Sequence, residues 1–128
     1  MVSKNLRQEG QGAETLAVDY LKQQGYQILA RNYRNNSGEI DIIAQDGNTV
    51  CFVEVKMRRS TAFGMPAEAV MKWKMRKLIQ VAGYYLKAKK LTDAKARFDV
   101  VAVREEDGGI VKVDLFKNAF RLDEVGNY

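Results

Sequence analysis

The chain contains no histidine and a single cysteine, Cys51. The missing imidazole excludes serine–histidine and cysteine–histidine nucleophiles, histidine general bases and histidine-ligated zinc. One cysteine excludes an intramolecular disulfide and any multi-cysteine zinc site; Cys51, on the apolar side of its stretch, reads as a small buried hydrophobe. No apolar run approaches the length of a membrane span, so no membrane association is expected. The segment Met1 to Gly12 is polar and lacks the apolar core of a secretory signal, which makes cytoplasmic residence the expectation. Repeats, low-complexity tracts and interdomain linkers are also missing. A catalyst with this composition must take its acid–base chemistry from carboxylates, lysine, tyrosine or metal-bound water.

What remains fits one soluble globular domain spanning 1–128, with a core over about 8–120 and short flexible termini. At 128 residues, 46% hydrophobic and 29% charged, the chain can bury a real core without disulfide or metal staples. The net charge of +5 is unevenly placed: from Glu54 to Arg97 there are twelve basic residues against three acidic ones, and the rest is net acidic. Such asymmetry favours a polyanionic partner, the alternative being a basic face that serves only solubility.

Ala13, Leu16, Ala17, Tyr20 and Leu21 recur at helical spacing, and Gly25 is placed to end that helix. A strand from Tyr26 to Tyr33 follows, then a turn at Asn35-Asn36-Ser37-Gly38. Ile40 to Ala44 and Val50 to Met57 read as two further strands joined through Asp46-Gly47-Asn48. Pro66 is placed to open a long helix whose buried stripe is Met71, Met75, Leu78, Ala82, Tyr85 and Leu86. Arg97 to Val103 reads as a strand and Ile110 to Leu115 as an edge strand after the Asp107-Gly108-Gly109 turn. The order is α-β-β-β-α-β with one more β.

Two acidic stretches interrupt the apolar strands: Gly38-Glu39-Ile40-Asp41 and Glu54-Val55-Lys56. A carboxylate in mid-strand is costly to bury unpaired, so its presence calls for a reason. Alternation puts Glu54 and Lys56 on one face of the sheet, with Val53, Val55 and Met57 on the other. Magnesium prefers oxygen ligands and keeps several waters. Asp41, Glu54 and the backbone carbonyl of Val55 could therefore hold it, with Lys56 positioning or deprotonating an attacking water, or offsetting charge on a phosphate. In the alternative, Glu54 and Lys56 form an exposed pair with Asp41 solvated beside them. Glu14, at the margin of the first helix's stripe, reaches the metal through water if that helix packs near the acidic strands; otherwise it faces solvent.

These residues carry a resemblance. The chain resembles the YraN-like family of small bacterial proteins, within the restriction-endonuclease-like PD-(D/E)XK nuclease superfamily. The match runs from about Gly10 to Phe120. It rests on Gly10-x-x-x-Glu14-x-x-Ala17, Gly25, Asn32, Gly38-Glu39-Ile40-Asp41, Phe52-Val53-Glu54-Val55-Lys56-x-Arg58, Phe63-Gly64, Arg97-Phe98-Asp99-Val100-Val101 and Asn118-Ala119-Phe120, whose order and spacing together are specific.

The resemblance implies an α/β fold with a restriction-endonuclease-like αβββαβ core, a mixed central sheet flanked by helices. It implies metal-dependent phosphodiester hydrolysis in DNA, with Mg2+ or Mn2+ as cofactor and branched or structured DNA, as for Holliday junction resolvases, as the substrate. Asp41 and Glu54 match the superfamily's acidic ligands, Lys56 its motif lysine, and Glu14 the helix glutamate that some members place near the metal. Ile40 stands where many members have proline. Arg58 and Arg59, with Lys72, Lys74, Arg76 and Lys77, are the expected phosphate contacts. Junction-cutting relatives work as homodimers, which the resemblance extends to this chain as an option. Gln80-x-x-x-Tyr84 is similar to a RecB-type exonuclease motif, but a helical wheel turns both residues outward with Trp73, Arg76, Lys77 and Lys87. The alternative function is a nucleic-acid-binding protein that keeps the nuclease fold without catalysis. An acidic protein partner for the basic face is a third.

Overall fold

A computed structural model of the protein describes residues 10–58 and 72–120. Within them the order is α1 (Gly10–Gln23), β1 (Gln27–Asn35), β2 (Gly38–Asp46), β3 (Thr49–Arg58), α2 (Lys72–Ala88), β4 (Lys95–Glu105), a 3-10 turn (Asp107–Gly109) and β5 (Val111–Phe120). The expected helix start at Pro66, its stripe residue Met71 and the terminal stretch Leu122 to Tyr128 lie outside the described residues, as does Arg59. The five strands form one sheet in sequence order. Neighbours are antiparallel except β3 and β4, which run parallel in register from Thr49↔Lys95 to Arg58↔Arg104. Parallel neighbours need a long crossover, and α2 lies within it.

Each sheet face carries one helix. The α2 face buries Ile40, Ile43, Val50, Phe52, Phe98 and Val100 against Leu78, Val81, Ala82 and Tyr85. The α1 face buries Ile42, Ala44, Cys51, Val53, Val101 and Val103 against Ala13, Ala17, Val18 and Leu21. Cys51 and Val53 going one way while Val50 and Phe52 go the other is the period-two alternation of a strand covered on both faces. Cys51 is fully buried, and burial and then the Asp99 carboxylate push its thiol up to about 12, as expected of an inert packing residue.

The helix ends follow local rules. Gly25 has φ +94, Tyr26 N–H donates to the Leu21 carbonyl at 2.9 Å and Gly25 N–H to Lys22 at 3.0 Å. That is the paired closure of a left-handed helix terminus. The same closure ends α2, from Leu91 N–H to Leu86 at 2.7 Å and Lys90 N–H to Lys87 at 3.1 Å, but the left-handed position holds Lys90 (φ +59). The β1–β2 turn is pinned by Ser37 N–H donating to Asn35 Oδ1 at 2.9 Å. A Cβ on Gly38 (φ +147) would meet the Val81 side chain at 3.4 Å, so this glycine lets the turn sit close on α2.

Three details differ from the sequence reading. In α1, Val18 is fully in the buried stripe and Tyr20 at its edge, because the sheet covers a wider arc than the chosen positions. β5 runs to Phe120, well past Leu115, because β4 offers it a ladder as far as Phe98↔Phe120. β2 and β3 likewise extend beyond their apolar cores into polar residues that the ladder still pairs.

Candidate functional site

The site grows from a fork in the sheet. The β2–β3 ladder runs from Asp46↔Thr49 to Ile42↔Val53 and stops there. Beyond it, β2 stays with β1 as far as Asn35↔Gly38, and β3 stays with β4 as far as Arg58↔Arg104. Asp41 and Glu54 are the next residue of each strand, one on either side of the fork. Ile40 belongs to the α2-side core and Ile42 to the α1-side core, although residues two apart on a regular strand share a face. β2 therefore turns over at Asp41. Asn32, across from it on β1, has φ +52, a left-handed conformation that asparagine tolerates better than most residues.

Strand separation leaves backbone groups without ladder partners, and a side chain makes up the loss. Val55 N–H donates to Asp41 Oδ2 at 2.8 Å. The Glu54 carboxyl is the acidic neighbour of Asp41 across the fork. Burial, then the neighbouring Glu54 charge, pushes Asp41 up to about 7, against the Val55 hydrogen bond, which lowers it. Glu14 of α1 adds to the same negative field, and its Oε1 is buried without a hydrogen-bond partner. The expected approach of α1 to the acidic strands is thus realised.

Glu54 is only 6% exposed. A buried carboxylate without a cation would cost several kcal/mol, and two lysines answer it. Lys74 Nζ of α2 lies 2.5 Å from Glu54 Oε2, and Lys56 Nζ lies 3.9 Å from the same oxygen. Burial, and then the Lys74 ammonium, lower the pKa of Lys56, against the pull of Glu54. For Lys74 burial acts downward too, but the hydrogen bond and charge of Glu54 outweigh it and the pKa rises. One lysine is committed to Glu54; the other is closer to giving up its proton.

Asp41, Glu54, Lys56 and Glu14 therefore converge. Lys74, grouped by sequence with the outward phosphate contacts, turns inward to the carboxylates. The signal was present: Lys74, Leu78, Val81 and Tyr85 follow one helical face, the buried one. Arg76 on the opposite face and Lys77 on the flank remain exposed. Arg58 and Lys72 end β3 and begin α2, and their side chains are outside the described residues. Glu39 pairs with Arg34 at 3.1 Å on the surface, away from Asp41.

The donor set suits a hard cation. Asp41 and Glu54 offer carboxylate oxygens, Glu14 an unpartnered one, and the Asp41–Glu54 repulsion would be relieved by positive charge. Among the described residues no three His, Cys, Asp or Glu side chains form an assembled ligand shell.

The order αβββαβ, with paired carboxylates on the adjacent inner strands β2 and β3 of a mixed sheet, defines a restriction-endonuclease-like fold. The chain belongs to UPF0102, the uncharacterised protein family whose signature matches residues 13–103, and this is the YraN-like family that its motifs indicated. It is 47% identical over 117 residues to a UPF0102 protein of Caldicellulosiruptor saccharolyticus, covering 91% of this chain and 99% of that one. It is also 47% identical over 113 residues to one of Geotalea daltonii, covering 88% and 89%. Among solved structures, SfsA of Pyrococcus furiosus in complex with Ca2+ aligns with TM-score 0.42 and 14% identity over 88% of this chain. The alignment spans 63% of the length of that protein. No helix among the described residues is long and apolar enough to cross a membrane.

Proposed function

We propose that the protein is a metal-dependent nuclease hydrolysing phosphodiester bonds in DNA, with branched or otherwise structured DNA as its substrate. The observation that carries this reading is the pair Asp41 and Glu54, forced together where β2 and β3 part, with Asp41 pushed up to about 7. A fold gains nothing in stability from such a pair; a cation does.

When bound, Mg2+ or Mn2+ would polarise the phosphate and lower the pKa of an attacking water. Asp41, Glu54 and the Val55 carbonyl are the groups that would hold it, with Glu14 acting through water. The Val55 N–H fixes the Oδ2 atom of Asp41, and Oδ1 is the oxygen that would ligate. Lys56, with its pKa lowered, is suited to accept a proton from water or to hold that water in line. Lys74 shields Glu54 while the metal is away and is placed to meet phosphate charge when a cation takes over Glu54. Arg76 and Lys77, with Arg58, Arg59 and Lys72, supply positive charge for the DNA backbone.

The test is cleavage of four-way junctions, flaps and single strands with Mg2+ or Mn2+, comparing wild type with Asp41→Ala, Glu54→Ala and Lys56→Ala. Each variant is expected to lose roughly 100-fold or more in rate. Equal cutting by all four proteins would point to a contaminant and end the catalytic reading.

The ion pair between Lys74 and Glu54 favours a second reading, in which an internal ammonium has replaced the metal and the protein binds nucleic acid without cutting it. That reading expects salt-sensitive DNA binding, no turnover with either metal, and no calorimetric signal for Mn2+ binding that depends on Asp41.

A further inference from the structure

The outer face of α2 carries a second feature that the carboxylate site does not use. Trp73 and Tyr84 are 58% and 59% exposed. Of the three large apolar side chains exposed among the described residues, two are these, on one helix. At 100° per residue they fall within about 20° of each other, roughly 16 Å apart along the axis. Lys77, Gln80, Lys87 and Arg76 lie within about 60° of Trp73 on the same wheel, all exposed. The helix from Lys72 to Ala88 contains no acidic residue. Among the described residues no carboxylate pairs with Arg76, Lys77 or Lys87.

We propose that this stripe is a stacking track for single-stranded nucleic acid leading to the Asp41–Glu54 site. Three arguments select that occupant. Unshielded cations along the stripe are complementary to a phosphate backbone. Flat aromatic faces spaced between them receive bases only when those bases are unstacked, which a strand offers and an intact duplex does not. The track also meets the site: Trp73 is the immediate neighbour of Lys74, whose ammonium rests on Glu54. A strand stacked on Trp73 would thus pass the end of α2 that carries Lys74, about 100° round the helix. The inference rests on the nuclease reading for its purpose, but not for its test.

Trp73 is the sole tryptophan, so fluorescence excited beyond the tyrosine absorption band reports this position alone. The experiment uses the full chain carrying Asp41→Asn, in EDTA, so that binding is measured without cleavage. Titration with a 12-nucleotide oligo-dT is expected to quench the Trp73 emission, with at least about tenfold weaker binding of a blunt 12-base-pair duplex. Read by anisotropy of labelled oligo-dT, Trp73→Ala and Tyr84→Ala should each weaken binding about tenfold, the fold-change of one lost stacking contact. Trp73→Phe should retain affinity within about threefold, since a ring remains. Equal affinity for strand and duplex, or unchanged binding by Trp73→Ala, overturns the track. So does a Trp73 response to polyglutamate with none to oligo-dT, which would assign the stripe to an acidic protein. Binding of this kind without Asp41-dependent cleavage upholds the track and sinks the nuclease; cleavage without quenching does the reverse.

Discussion

Among the described residues two buried acidic sites stand out, around Asp99 and around Glu54, and they are built on opposite principles. On the α1 face of β4, Asp99 is 1% exposed, yet every side of its carboxylate is answered. Arg97 Nε donates to it at 3.0 Å, Tyr26 Oη at 3.2 Å and Asn118 N–H at 2.8 Å. Arg97 then reaches Tyr26 at 2.7 Å and Asp46 at 2.8 Å, joining β4 to β2 and to the residue that leads into β1. At the fork, Asp41 has one backbone donor and a second carboxylate beside it, and Glu14 presents an oxygen with no partner. A saturated carboxylate ties the fold together, whereas a deprived one stores repulsion that a ligand can relieve. Burial alone therefore does not mark function; the balance of donors around the buried charge does.

The contrast can be broken by substitution, and the largest effect is expected at the saturated cluster. Asp99→Ala should cost about 3–5 kcal/mol, because Arg97 and Tyr26 lose their shared acceptor inside the protein. Chemical denaturation measures this, and a loss under about 1 kcal/mol would mean the network is not a tie. At the deprived cluster the sign should reverse. Asp41→Asn keeps an acceptor for Val55 N–H, removes the charge, and offers an amide that can donate to Glu54. It is expected to stabilise the metal-free protein by about 2 kcal/mol at pH 8 while abolishing Mn2+ binding by calorimetry.

The pH dependence follows from the same group. Asp41 is pushed up to about 7 in the folded protein from an ordinary value of 3.8. Between these values the native state holds a proton that the unfolded state has released, so stability falls as pH rises from about 4 to about 7. Wild type should lose this contribution over that window in metal-free buffer, and Asp41→Asn should not. Parallel curves for the two proteins would contradict the assignment.

Lys74→Gln sharpens the comparison further. Without its ammonium the metal-free protein should lose about 1–2 kcal/mol, discounted for the partial exposure of the lysine. Mn2+ should bind several-fold more tightly, because no internal cation competes for Glu54. Weaker Mn2+ binding in this variant would instead make Lys74 a support of the site. The smallest effect lies away from both clusters: Lys90→Gly at the left-handed end of α2 should add about 1 kcal/mol, measured as a rise in Tm, since glycine adopts that conformation freely.

Much of this architecture was legible locally. The Asp46-Gly47-Asn48 turn, the Gly25 helix stop and the apolar periods of α1 and α2 are short-range signals, and the structure follows them. The face shared by Glu54 and Lys56 also followed from strand alternation, as their ion pair reflects. Arg97 and Asp99 are only two residues apart, but Tyr26 and Asp46, which complete the network, lie 71 and 51 residues from Arg97. Nothing in local periodicity brings them there. Lys74 was named for its charge alone, and its pairing with Glu54 follows from the helical spacing it shares with Leu78, Val81 and Tyr85.

Composition and spacing set which groups are available: no imidazole, one thiol, carboxylates set in apolar strands, and an α2 free of acids. Which carboxylate is satisfied, and which is not, depends on the folded arrangement. The reason is that donors arrive from distant segments, and that β2 and β3 can part only because β1 and β4 hold them on their outer sides.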